Sequence, residues 1–211
     1  MMPSLPIVIR CPKCGNQMKK QVLYSGNTFG AAYYTDGKME APMLPELPQI
    51  TKCPACKELF WIDEAEEVGE YFPMPLLPGE KEIPSVRFLS ITDYDKALRR
   101  KLSRSKEDEL YLRRQLWWRF NDRVRRGKAL VNSPREERIW KTNLALLEGI
   151  LDDNDPEQRI MKAEVLRHLG FFLLASTKLE FVRDEQYKQV VDIIKQACKE
   201  QKTEVLKVED N

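Results

Sequence analysis

The chain has 211 residues, 42% hydrophobic and 32% charged, with a formal net charge of +2. That is enough chain to bury a core and too little charge to require a nucleic-acid or membrane partner. No run approaches the roughly 18 apolar residues of a membrane span, and residues 1–10 lack the order of a signal peptide.

Charge and proline are unevenly spread. Residues 1–85 carry 8 Lys/Arg against 11 Asp/Glu, and residues 86–211 carry 27 against 22. Eleven of 13 prolines lie at or before Pro84, so strands and loops are expected first and helices second. Five cysteines, four of them in two close pairs, point to metal ligation in a reducing compartment. The cytoplasm is the expected location.

In chain order, the first predicted strands are Ile7-Val8-Ile9 and residues 21–24, on either side of Cys11-Pro12-Lys13-Cys14-Gly15. Ile50-Thr51-Lys52 and residues 59–62 flank Cys53-Pro54-Ala55-Cys56-Lys57 in the same way, with 38 residues between the two cysteine pairs. Two residues between cysteines let one tight turn aim both sulfurs at a single ion. Two such turns complete a tetrahedral four-thiolate shell. Cys11, Cys14, Cys53 and Cys56 are therefore the candidate ligands of one zinc per chain, with iron as the alternative. A closed shell leaves no open coordination position, so no metal catalysis is expected.

These residues resemble zinc ribbons and the related rubredoxin-type knuckle pair. The resemblance covers residues 7–63 and carries over to the four cysteines. Lys57 stands where such knuckles often keep a second glycine, and the insert is longer than in a minimal ribbon. Within the insert, Asp36-Gly37 predicts a hairpin turn inside Tyr33-Tyr34-Thr35-Asp36-Gly37-Lys38, followed by an extended run through Pro42, Pro45 and Pro48. The acidic residues 63–67 read as a solvated helix start. Residues 71–80 fit either a semi-rigid linker or a loop packed along the helices.

A short helix is expected from a Thr92 or Asp93 cap to about Leu102, then a long one from Ser105 to Arg126 stopped by Gly127. Ser133-Pro134-Arg135-Glu136 predicts a capped start for a helix to Leu151, and Asp155-Pro156 opens one ending at Gly170. Helices over 172–181 and 185–202 complete the half. The tail from 204 to 211 is expected to be disordered.

Residues 99–128 hold 12 Lys/Arg against 4 Asp/Glu with Trp117, Trp118 and Phe120 interleaved. A phosphate-gripping surface would use Arg113, Arg114, Trp118 and Arg126. Trp117 and Phe120 share a face with Leu110 and Val124 and are expected in the core, which leaves Trp118 for a partner. His168, the single histidine, is expected half-exposed at a helix end, and Cys198 is expected as a core filler. With one imidazole and no positioned nucleophile, no catalytic constellation emerges.

The stretch from Met161 to Ala175 resembles the middle of a tetratricopeptide-type hairpin, with Ala163 as the small packing residue, Gly170 at the turn, then Phe172 and Ala175. The whole layout resembles bacterial zinc-ribbon proteins of unassigned activity. The fold expected is α+β: a zinc ribbon over 1–70, a proline-rich linker over 71–85, an all-α tetratricopeptide-like domain over 86–203, and the tail. The function expected is a non-enzymatic protein-binding adaptor, with nucleic-acid binding through the basic helix as the alternative and no membrane partner.

Overall fold

The computed structural model describes residues 2–72 and 82–208. Its first nine strands are β1 (Met2–Pro3), β2 (Ile7–Arg10), β3 (Gln17–Lys20), β4 (Leu23–Ser25), β5 (Ala32–Tyr34), β6 (Met39–Glu40), β7 (Ile50–Lys52), β8 (Leu59–Trp61) and β9 (Glu66–Glu70). Six helices follow: α1 (Ile91–Arg99), α2 (Lys106–Arg125), α3 (Pro134–Ile150), α4 (Pro156–His168), α5 (Phe172–Leu179) and α6 (Lys188–Lys199), then β10 (Lys207–Val208). The order is the mixed α+β layout that the prolines predict. Among the described residues, no helix is long and apolar enough to cross a membrane.

The chain forms two compact units, Met1–Ala31 with Glu40–Asp93, and Ala32–Met39 with Tyr94–Asn211. These do not follow the sequence division at residues 70 and 85. The hairpin Ala32–Met39 belongs with the helices, and the segment before Asp93 belongs with the ribbon.

In the first unit β2 is central, antiparallel to both β3 and β9. The strand after the first knuckle thus begins at Gln17, earlier than the expected 21–24. A second hairpin pairs β7 with β8, Lys52 opposite Leu59. Between the sheets lie Ile9, Met18, Phe60, Ile62 and Ala65 together with the Cys11 and Cys53 side chains. The acidic stretch is one turn of 3-10 helix at Ile62–Glu64 followed by β9, where Glu66 pairs with Arg10 and Glu67 with Lys20. Of the expected linker, residues 73–81 lie outside the described residues. Its two ends run along the ribbon: Tyr71 N–H donates to the Pro6 carbonyl, and Ser85 bridges Lys19 of β3.

In the second unit, caps set the helix starts. Ser105 accepts from the Asp108 N–H, Ser133 from Glu136, and Asp155 from Glu157 and Gln158. α1 begins in the last residues of the first unit, capped by Ser90, whose hydroxyl accepts from the Asp93 N–H, two residues before the expected Thr92 and three before Asp93. The last helix starts at Lys188, because Asp184 caps a 3-10 turn over Glu185–Tyr187 first. Gly170, at φ 85°, makes the turn between α4 and α5. Ile160, Ala163, Leu166, Ala175, Leu179, Val191 and Ile194 form the shared core of α4, α5 and α6, and Cys198 fills it as expected.

Residues 204–208 of the tail are structured, contrary to their featureless sequence, and residues 209–211 lie outside the described residues. Val205 is buried, and Lys207–Val208 pairs antiparallel with Tyr34 and Tyr33. Arg167 fixes the approach by donating to the carbonyls of Lys202 and Glu204. A two-residue strand has no periodicity to read.

Candidate metal centre

Each cysteine pair sits at the tip of a hairpin, and the two tips have the same backbone. Cys11 N–H donates to Asn16 and Gly15 N–H to Cys11, while Cys53 N–H donates to Glu58 and Lys57 N–H to Cys53. The residue after the second cysteine is left-handed in both, Gly15 at φ 71° and Lys57 at φ 61°. Lysine thus takes a backbone that glycine adopts freely, at a cost of about 1 kcal/mol. Gly15 has open space where a Cβ would go. Gly15→Ala should therefore lower stability by about 1 kcal/mol through backbone strain alone, and Lys57→Gly should raise it by up to that amount. Urea unfolding of the two variants measures both signs.

The first cysteine of each pair is buried and the second is more open. All four sulfurs lie within 4.8 Å of one another, with Cys11 to Cys56 at 3.7 Å and Cys14 to Cys53 at 3.6 Å. A tetrahedral shell with metal–sulfur bonds of about 2.3 Å puts its sulfurs about 3.8 Å apart, so the four thiols fit a single ion. Burial, with the neighbouring Cys56 and Cys14 thiols, pushes the Cys11 thiol up to about 12, against the backbone N–H groups of Cys14 and Lys13. An incoming cation must therefore displace a proton, and binding weakens as pH falls.

The other predicted residues do not form one surface. Arg113 is buried and donates to Glu109 at 2.6 Å. Trp118, expected to face a partner, is buried, and its indole N–H donates to the Asp36 carbonyl at 3.0 Å. Arg114 lies over the Trp118 ring, 4.9 Å from its centroid, and Arg126 is exposed. His168, expected half-exposed, is buried between Trp117, whose indole N–H donates to Nδ1 at 3.2 Å, and Glu164 at 3.1 Å from Nε2.

Set against known proteins, the chain matches no family model, and no curated protein or solved structure is significantly similar to it.

Proposed function

We propose that this chain is a non-enzymatic adaptor of the cytoplasm: a zinc ion holds the ribbon, and the helical unit binds another protein. The observation that carries the reading is α5. Phe172, Ala175 and Leu179 face the core at helical spacing, so the opposite side should be polar. Instead Phe171, Leu173 and Leu174 are exposed by 53, 80 and 56%, and Phe181 just beyond by 62%. Ser176, Thr177 and Lys178 make the later part of α5 polar, but the large apolar side chains left exposed at its first turn mark an interaction site, which supports a protein partner over this face. We read α4, Gly170 and α5 as a tetratricopeptide-like hairpin that presents it. Iron takes the same four thiolates, and zinc is our choice because closed shells of this kind commonly hold small folds together as structural zinc.

The test places a photo-crosslinking residue at Leu173 in the full chain in its native cell. A discrete crosslinked protein is expected, lost when Leu174 and Phe171 become serine. Those substitutions should cost no more than about 2 kcal/mol of folding stability together, since each side chain is already more than half exposed. Crosslinking no greater than from an exposed polar position such as Gln196 would sink the reading.

A further inference from the structure

α1, α2 and α3 line an open cleft of about 410 Å³, within the range of small-ligand pockets. Four arginines line it, Arg99, Arg113, Arg135 and Arg138, against one carboxylate, Asp95. Two are engaged within the chain, Arg99 with Asp95 at 2.7 Å and Arg113 with Glu109 at 2.6 Å. Arg135 and Arg138, on one face of α3 at i and i+3, have no carboxylate or hydrogen-bond partner among the described residues. The rest of the lining is largely aliphatic, with Leu98, Leu116, Ile139 and a half-exposed Leu146.

We propose that this cleft binds an acidic, aliphatic peptide segment of a partner protein, its carboxylates paired to Arg135 and Arg138 and its leucine-like side chains laid on Leu98, Ile139 and Leu146. The chemistry narrows the occupant. A wholly apolar segment would cover two guanidinium groups without pairing them, which is costly. Nucleic acid would satisfy the arginines, but no aromatic ring lines the cleft for a base to stack on, and its aliphatic wall would stay wet. A peptide carrying both carboxylates and aliphatic side chains satisfies both walls, and guanidinium–carboxylate pairs supply the bidentate geometry. The site is separate from the α5 face and stands or falls without it.

The experiment is fluorescence anisotropy of the full, metal-loaded chain with a labelled peptide alternating glutamate and leucine. Saturable, salt-sensitive binding is expected. It should weaken by about tenfold or more when Arg135 and Arg138 both become alanine, the loss of two charge-assisted contacts. A similar loss is expected when the peptide's glutamates become glutamine or its leucines become serine. The arginine variant should keep its urea midpoint, because neither side chain is paired in the fold, and the Leu173→Ser chain should bind as the parent does. Undiminished binding by the arginine variant or by the glutamine peptide overturns the proposal. So does displacement of the peptide by an equal concentration of single-stranded oligonucleotide, which would make the cleft a general polyanion site, or loss of binding in Leu173→Ser.

Discussion

Cys53→Ser should strip the chain of its metal and unfold the ribbon while the helical unit stays folded. Protein purified without added metal should carry about one zinc per chain, and the variant none after dialysis against a chelator. The expected loss is large because Cys53 is at once ligand and core: it is 0% exposed and packs with Ile9, Met18 and Phe60. Structural zinc sites hold small folds with roughly 10–16 kcal/mol of binding free energy, and a shell missing one buried thiolate forfeits much of it. Hydrogen exchange should show β2, β3, β7 and β8 losing protection while α2 through α6 keep theirs, as two compact units imply. Cys198→Ser is the control and should keep the metal, since that side chain belongs to the core of α4, α5 and α6. Elemental analysis that finds iron, with a reversible redox signal, would replace zinc. A Cys53→Ser chain that keeps a full equivalent of metal would remove the site.

Much of this site was legible because its signals are local. Two cysteines two residues apart fix a turn by themselves, and the runs Ile7-Val8-Ile9 and Ile50-Thr51-Lys52 became β2 and β7 as their β-branched residues predict. Capping residues act over three positions, so the starts of α2, α3 and α4 were legible at Ser105, Ser133 and Asp155. The places where the sequence misled are those where a distant partner decides. Asp36-Gly37 reads correctly as a turn, but nothing nearby says that the turn is buried among helices. There Asp36 is 0% exposed and accepts from Asn121 Nδ2 at 2.7 Å and from the Arg125 guanidinium. Lys38 pairs with Asp122, which also accepts from Arg125 at 2.8 Å. That network is what draws the hairpin out of the ribbon insert, and it turns what reads as a solvated basic helix into one with a buried, paired side. Trp118 went astray for the same reason: its hydrogen-bond partner lies 82 positions away.

The second large effect is expected at Glu164, which lies at the centre of a buried polar cluster. Its carboxylate accepts from Thr35 Oγ1 at 2.5 Å, from Arg167 at 2.5 and 2.7 Å, and faces His168 Nε2 at 3.1 Å. Glu164 and Arg167 are both 0% exposed. Glu164→Ala would leave the Arg167 guanidinium buried without its counter-charge and should destabilise the chain by about 3–5 kcal/mol. The cluster also sets an acid sensitivity. Burial works to raise the Glu164 carboxyl, but His168 and Arg167 outweigh it and hold it at about 2, below its ordinary 4.5. The folded value is the lower one, so this stabilisation is complete above about 4.5 and is lost as pH falls toward 2. At 1.36 kcal/mol per pH unit of difference, it amounts to about 3 kcal/mol across that window. Glu136, held at about 2 by Arg123, titrates over the same range, so the wild-type curve alone does not isolate Glu164. Glu164→Gln does, because it keeps the shape and removes the titration. Urea unfolding of the two chains from pH 6 to pH 2.5 should show stability curves that are well separated at pH 6 and converge as acid protonates the wild-type carboxylate. Parallel curves would mean that Glu164 is not held as an ion in the fold.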